Sequence, residues 1–182
     1  MKFLGLPLAI ILERAIITTI TLFPPNNAKD LLESQDRLVL ELFGGKTGKV
    51  EGAINVDRIA EKGIRADVIV DKLSFISDNS IDEILVFNPY IPKEIGGTGI
   101  LDYLPEAARI LKPGGLIIIS GSRNNKFTQI NPSMDLAALS LQVVERQIPL
   151  PVRFTNLRFY RTDGSEIPKD KILTTILRKV QP

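Results

Sequence analysis

The chain has 182 residues, 44% of them apolar and 24% charged, and its 23 basic and 21 acidic residues leave a net charge of +2. This composition predicts one soluble globular domain and makes no general electrostatic case for binding to nucleic acid. Because cysteine and histidine are absent, the sequence excludes disulfides, thiolate metal sites and catalytic triads that use histidine, and it predicts no metal centre.

The N-terminal segment, residues 1–27, is apolar up to a pair of prolines. Its first 23 residues are long enough to raise the question of a membrane span, but Glu13 and Arg14 lie at their middle. Each central charge costs about 2.5–3.5 kcal/mol on insertion, whereas each Leu, Ile or Phe returns only about 0.3–0.6 kcal/mol, so a span gains almost nothing. We therefore expect a helix packed on the domain or on a second subunit, in a cytoplasmic protein. Peripheral membrane association through residues 1–23 is the alternative.

Residues 28–182 are predicted to form a single domain. A short helix is expected at residues 28–34, and the apolar runs that follow are compact, as in strands buried on both faces. The five central-strand candidates are Arg37–Leu42, Ala53–Val56, Ala66–Val70, Asp82–Phe87 and Leu116–Ser120. Between the last two, Ile100–Leu111 has apolar residues at helical spacing. A helix between two strands indicates a right-handed crossover in a parallel sheet.

The C-terminal third has a different pattern. Strands are predicted at Gln142–Ile148, Asn156–Thr162 and Lys171–Lys179, with a turn signal at Asp163-Gly164. The economical arrangement is an antiparallel hairpin that closes the sheet. The predicted fold class is therefore α/β, a three-layer domain with parallel strands one to five and a C-terminal antiparallel hairpin. Basic residues of this region alternate with acids and are interpreted as a solvated hairpin face rather than a nucleic-acid track.

A glycine loop, Glu41–Lys49 (ELFGGKTGK), follows the first predicted strand. A Walker A loop would need a glycine at Leu40 or Phe43, and the glycines at 44, 45 and 48 do not match the dinucleotide fingerprint G-x-G-x-x-G. The segment between this loop and the next strand is also too short for a full crossover helix. Both phosphate-binding loops are therefore excluded.

Acidic residues stand at the ends of the next two predicted strands. Asp57 follows the second strand and Asp71 the third, while Gly44-Gly45 follows the first. Ligands of open parallel sheets bind along the carboxyl edge, where a carboxylate after the second strand can hold a ribose diol. Together these strand ends predict one nucleoside-sized site, although each acid alone could be a turn or cap residue.

Three segments in order carry a resemblance to a known family: ELFGGKTGKVEGAINVD, ADVIVDKLSFISDNSIDEILVFNPY and YLPEAARILKPGGLIIIS. They resemble successive motifs of the class I S-adenosylmethionine-dependent methyltransferases, type 11-like members among them. The resemblance spans residues 37–120 and implies a Rossmann-like fold, methyl transfer and S-adenosyl-L-methionine as cofactor. Two departures are that the glycines of the first motif are shifted and that the first helical crossover is nearly deleted.

The resemblance also implies the cofactor contacts. The turn under the methionine part comprises Glu41, Phe43, Gly44 and Gly45. The residues around the adenosyl part are Asp57 on the ribose hydroxyls, Arg58 and Ile59 beside the adenine, and Asp71, Lys72 and Leu73 at its amino edge and ring. Asn88, after the fourth strand, would face the transferred methyl.

The string Asn88-Pro89-Tyr90 resembles the Asn/Asp-Pro-Pro-Tyr/Phe string of methyltransferases that act on amino nitrogens. There, side-chain and backbone oxygens accept hydrogen bonds from the target NH2 and the ring stacks on the substrate, so Asn88 and Tyr90 are the candidate catalytic residues. A plain turn is the alternative, because the second proline is missing. The predicted function is methyl transfer to an unidentified nucleophile, with an amino nitrogen among the candidates. The alternative is a noncatalytic or repurposed, effector-like or toxin-like domain of this fold.

Overall fold

The computed structural model describes residues 28–95 and 97–181, so the predicted N-terminal segment, residues 1–27, lies outside the described residues. The helices and strands are α1 (Ala28–Glu33), β1 (Val39–Leu42), β2 (Ile54–Asp57), β3 (Ile64–Arg65), β4 (Ile81–Phe87), α2 (Leu104–Ile110), β5 (Leu111–Ser122), β6 (Leu141–Pro149), β7 (Phe159–Tyr160), β8 (Glu166–Ile167) and β9 (Ile172–Lys179). Short 3-10 helices lie at Lys93–Ile95, Ile100–Asp102, Ala137–Leu139, Val152–Phe154 and Lys169–Lys171. Among the described residues, none of the helices has the length and apolarity that a membrane crossing requires.

Seven strands form one sheet in the order β3-β2-β1-β4-β5-β9-β6. The first five strands are parallel, as predicted, and β9 is antiparallel to both of its neighbours, β5 and β6. From β1 the sheet continues to β2 on one side and to β4 on the other, so chain order reverses there. The crevice beyond the ends of β1 and β4 is therefore the topological switch point, where ligands of open α/β sheets bind.

One face of the sheet is covered by both helices. Ala28 of α1 and Leu104 and Ala107 of α2 pack with Ile84 and Val86 of β4 in a single apolar cluster. Every second residue of a strand faces the same side, so these two β4 residues share one face. Burying this face of the sheet against helices forms two of the predicted layers.

The opposite face has an irregular cover. Leu85 and Phe87 of β4 point to this side and pack with Phe154, Phe159 and Ile167. The Phe87 and Phe154 rings meet edge to face with centroids 4.8 Å apart. The third layer is thus built from a 3-10 helix and the separate β7–β8 hairpin, whose predicted turn at Asp163-Gly164 is confirmed by a φ of +83° at Gly164.

A buried acid fastens this cover to the sheet. The Glu83 side chain is 3% exposed and forms ion pairs with Arg37 at 3.1 Å and with Arg153. The Arg153 guanidinium also lies over the Phe154 ring, 4.5 Å from its centroid. The Glu83 carboxylate lies between the two guanidinium groups, and so it anchors the 3-10 helix that contains Arg153 to β4.

Two predicted elements differ from the observed ones. The third strand is Ile64–Arg65 rather than Ala66–Val70, which forms a turn. The sheet is not closed by the predicted hairpin of strands that follow one another in sequence, because β9 lies between β5 and β6. The nearly deleted first crossover is confirmed: residues 43–53 contain turns and bends and no helix.

Candidate functional site

The loop after β1 folds around the carboxylate of Glu41. Glu41 is 1% exposed, and its Oε2 accepts hydrogen bonds from the backbone N–H groups of Lys49 at 2.7 Å and Val50 at 3.0 Å. A Cβ at Gly44 would lie 3.0 Å from Glu41 Cδ and would clash with Asn55 Oδ1. Glu41 Oε1 and Asn55 Oδ1 are buried acceptors with no hydrogen-bond partner among the described residues. Close packing against an internal carboxylate therefore requires the glycine at 44.

Because the glycines of this loop are shifted, Phe43 occupies a turn position whose backbone conformation favours glycine. Its φ is +61°, a left-handed conformation that favours glycine, and its N–H donates to the Val56 carbonyl on β2 at 2.9 Å. The Phe43 ring packs edge to face on the Tyr103 ring, with centroids 5.3 Å apart. The tight turn is kept, but a bulky side chain now stands in it.

Asp57 is held beside the glycine turn at the end of β2, as predicted. Its Oδ2 accepts the N–H of Gly45 and its Oδ1 accepts the N–H of Ile59, both at 2.9 Å. The side chain is half-buried, and each carboxylate oxygen has a second lone pair for an external donor. Asp57 is therefore prearranged to accept hydrogen bonds from a diol.

The acid at the third strand end is Asp67, not Asp71. After β3 the chain turns, and the N–H groups of Ile69 and Val70 donate to Asp67 Oδ1 at 2.9 and 3.1 Å. The Asp71 carboxylate accepts the Asp67 backbone N–H at 2.8 Å and so closes this turn. The prediction that Asp71 ends a strand is wrong, because the turn that Asp67 caps overrides the strand propensity of the β-branched run.

A cavity of about 300 Å³ opens beyond the ends of β2 and β3. Its lining consists of Phe43, Asp57, Arg58, Ile59, Asp67, Val68, Ile69, Tyr90, Ile91 and Pro92. Two acids on an otherwise mainly apolar wall suit a ligand with hydroxyl or amino donors and a flat apolar part. Arg58 and Ile59, predicted beside the adenine, do line this cavity.

The other predicted adenine contacts lie elsewhere. Asp71, Lys72 and Leu73 are not among the residues that line the cavity. Leu73 is fully buried in the core, and Lys72 and Leu73 both have left-handed backbone, with φ of +50° and +47°. The cavity wall has Asp67, Val68 and Ile69 but not residues 71–73, whose contact with a cofactor stays a prediction.

The side chain of Lys49 reaches into the crevice at the switch point. The Asn88 N–H donates to Ser120 on β5, so the preceding carbonyl, that of Phe87, points to the β1 side. Lys49 Nζ donates to this Phe87 carbonyl at 3.0 Å. The sequence analysis did not single out Lys49, and its partner lies 38 residues away in the chain.

Electrostatics at Lys49 reflect this position. The residue as a whole is exposed, but its ammonium reaches inward along the loop. Burial of the ammonium lowers the pKa of Lys49, and the negative charges of Glu41 and Asp57 offset this only in part. Lys49 is thus the internal counter-charge of the two acids that flank the crevice.

Asn88 ties the end of β4 to the turn after β5. Its Oδ1 accepts the N–H of Ser122 at 3.1 Å and the Asn125 Nδ2 at 3.0 Å, and Asn125 Nδ2 also donates to the Pro89 carbonyl at 2.9 Å. These are the oxygens predicted to accept a target amino group, and both are already bonded. Tyr90 is 68% exposed and lines the cavity with Asp57. The catalytic roles of Asn88 and Tyr90 stay predictions: the Asn88 oxygen is bonded within the chain, and Tyr90 lines the cavity.

Two larger cavities lie beyond the end of β5, with volumes of about 570 and 390 Å³. They share Ser122, Arg123 and Leu173. Their basic lining residues are Arg123, Arg146, Arg161 and Lys171, and Asp170 is the acid. This side of Asn88 offers a positively charged surface that suits an anionic group.

Comparison with known proteins gives structural matches alone. No protein-family model matches the sequence, and no curated protein matches it. The 16S rRNA (adenine(1408)-N(1))-methyltransferase of Catenulisporales acidiphilia superposes with a TM-score of 0.51 at 14% identity, over 88% of this chain and 95% of that one. A point mutant of the same enzyme gives 0.52 at 16% identity, with the same coverage of both chains.

A methyltransferase from Methanosarcina mazei, described as S-adenosylmethionine-dependent, matches with a TM-score of 0.48 at 14% identity, over 84% of this chain and 98% of that one. That score is too low to support an argument. The two matches above 0.5 indicate the same fold at low identity. The chain therefore has the Rossmann-like α/β fold of the class I methyltransferases.

Proposed function

We propose that the chain binds S-adenosylmethionine at the carboxyl edge of its sheet and transfers the methyl group to an acceptor. The observation that carries this proposal is the cavity in which Asp57 and Asp67, the acids at two neighbouring strand ends, stand on one wall. A ribose diol and an adenine amino group are donors that two carboxylates can satisfy. The fold supports the same assignment.

The chain's own residues would bind and orient this cofactor. Asp57, fixed by the N–H groups of Gly45 and Ile59, accepts the ribose hydroxyls. Asp67 and the apolar Val68 and Ile69 line the part of the cavity left for the base. When bound, S-adenosylmethionine supplies an electrophilic methyl on a sulfonium. A chain without histidine then contributes alignment and electrostatics rather than proton transfer.

The acceptor would approach from the cavities beyond β5. Their four basic residues favour an acceptor that carries negative charge, as a phosphate or a carboxylate does. A screen with radiolabelled methyl on DNA, RNA, protein and small amines tests this. Label on anionic acceptors that is lost with Arg123→Glu supports the assignment, and label on cationic or neutral acceptors alone contradicts it.

Calorimetry tests the cofactor assignment itself. We expect micromolar affinity for S-adenosylhomocysteine and a loss of about 100-fold or more in Asp57→Ala, because charge-assisted hydrogen bonds are removed. Asp57→Asn keeps one of the two acceptor oxygens that the loop N–H groups use, and urea unfolding of both variants separates loss of binding from loss of fold. Asp36→Ala, at an exposed site between α1 and β1, is the matched control. No heat at millimolar ligand would refute the proposal.

A second candidate function is a noncatalytic nucleoside-binding domain of this fold. It is favoured by the inner end of the site, where the Lys49 ammonium is bonded to the Phe87 carbonyl beside the turn that the resemblance assigns to the methionine part. The distinction is measurable: adenosine and S-adenosylhomocysteine would then bind equally well, and no methyl acceptor would be labelled.

A further inference from the structure

The switch-point crevice already contains a cation. Lys49 Nζ donates to the Phe87 carbonyl at 3.0 Å, at the place where β4 extends past the last β1–β4 pair, Leu42 with Val86. Glu41 is the nearest buried acid on β1 and lies within electrostatic reach of this ammonium. The crevice therefore presents acceptors and negative charge, and in the described structure Lys49 uses them.

The two ends of the proposed cofactor differ in charge. Its nucleoside end is neutral and suits the Asp57–Asp67 cavity, whereas its methionine end carries an ammonium, a carboxylate and, in S-adenosylmethionine but not in S-adenosylhomocysteine, a sulfonium. Both cations need what Lys49 now has, which is a carbonyl oxygen and nearby carboxylates. Two ammonium groups cannot share one carbonyl without strong repulsion in a partly desolvated crevice.

Lys49 is held in a way that allows it to leave. Within the described residues, its ammonium has one hydrogen bond, to a backbone carbonyl, and no direct ion pair with a carboxylate. The residue is exposed, so a rotation of the flexible side chain brings the ammonium into water. Glu41 keeps its hydrogen bonds from the backbone of Lys49 and Val50 when this happens, so the loop itself need not move.

Resting on the proposed function, we infer that the Lys49 ammonium is an internal stand-in for the ammonium of the cofactor's methionine end and a determinant of ligand specificity. With Lys49 in the crevice, the site accepts a nucleoside but not an aminocarboxypropyl tail. S-adenosylmethionine and S-adenosylhomocysteine bind when Lys49 is displaced, and part of their affinity is lost in displacing it.

Calorimetry on the full chain with adenosine and with S-adenosylhomocysteine tests this inference. Lys49→Met removes the ammonium, and Lys49→Gln removes the charge but keeps a donor for the Phe87 carbonyl. We expect both variants to bind S-adenosylhomocysteine about tenfold more tightly than the natural chain and to bind adenosine with unchanged affinity. Lys46→Met is the matched control, because Lys46 is in the same loop but forms an exposed ion pair with Glu61 at 2.7 Å. It should leave both affinities unchanged.

Unchanged adenosine binding also shows that each variant is folded. Equal S-adenosylhomocysteine affinity in all chains overturns the inference about Lys49 while leaving the proposed function intact. Weaker binding in the Lys49 variants overturns it as well, since Lys49 would then contact the ligand's carboxylate. If adenosine and S-adenosylhomocysteine bind to none of the chains, the proposed function fails and the inference fails with it.

Discussion

The carboxyl edge of the sheet has two halves that differ in how their acids are used. In the outer half, at the ends of β2 and β3, Asp57 and Asp67 face an open cavity of about 300 Å³. In the inner half, at the ends of β1 and β4, the loop wraps Glu41, and the Lys49 ammonium reaches the Phe87 carbonyl. Acids in both halves accept backbone N–H groups, but only those of the outer half also face an open cavity. A shortened crossover loop explains the difference, because it brings the Lys49 backbone onto Glu41.

The largest expected effect is in the inner half. Glu41→Ala leaves the N–H groups of Lys49 and Val50 without their acceptor in a partly buried loop, at a cost of about 2–4 kcal/mol in the free energy of unfolding. Urea unfolding measures this, with the exposed Glu51→Ala as control. A loss below about 0.5 kcal/mol, the size of an ordinary surface substitution, would show that Glu41 is not structural.

Overpacking of the glycine turn comes next. In Gly44→Ala the new Cβ would meet Asn55 Oδ1 and would lie 3.0 Å from both Glu41 Cδ and Gly48 Cα, so we expect a loss of about 1–3 kcal/mol. Gly52→Ala is the comparison, because nothing lies within 4 Å of its Cβ position and only its φ of +79° opposes alanine. Its cost should be about 1 kcal/mol. Equal losses in thermal or urea unfolding would contradict the close packing at Gly44.

A pair of matched substitutions distinguishes the two candidate acids of the outer half. Asp67→Asn should weaken S-adenosylhomocysteine binding about tenfold, because a charge-assisted acceptor in the cavity wall is lost. Asp71→Asn should leave the affinity unchanged, since Asp71 closes the turn and does not line the cavity. The reverse result in calorimetry would restore the assignment to Asp71.

The smallest effect is a pH dependence at the crevice. Burial lowers the pKa of Lys49 below its ordinary value of 10.5 in the folded chain, so the unfolded chain binds more protons between the two pKa values. Over that window the stability of the natural chain should rise with pH relative to Lys49→Met. Urea unfolding of both chains from about pH 8 to about pH 10.5 measures the difference. Parallel pH profiles would show that the Lys49 ammonium is as well solvated when folded as when unfolded.

Local signals predicted the parallel sheet and the position of Asp57. The run INVD ends in an acid, and this pattern predicted the end of the strand. In the structure the first three residues of the run are buried and Asp57 is half-buried. The segment after β3 misled because Ala66–Val70 is rich in β-branched residues. Asp67, the second residue of this run, is of a type that commonly caps turns, and this signal could have corrected the boundary.

Contacts between distant segments were beyond prediction from local pattern. Lys49 reaches Phe87 across 38 residues, and nothing around either residue indicates the pairing. The hydrogen bond that Asn125 donates to Asn88, 37 residues earlier in the chain, could not be read from the string Asn88-Pro89-Tyr90 either, and the catalytic role of that string stays a prediction. The sequence pattern distinguished the parallel strands from the antiparallel ones. It did not predict that β9 inserts between β5 and β6, because that depends on which strand edges remain free once the parallel strands have paired.

That insertion has a consequence for how the protein is made. β6 pairs with β9 alone in the described sheet, and β9 begins only at Ile172. During synthesis β6 therefore has no hydrogen-bonded neighbour until β9 has left the ribosome. A product that stops short of Ile172 would lose the sixth and seventh strands of the sheet together and would leave the edge of β5 open to pairing with other chains.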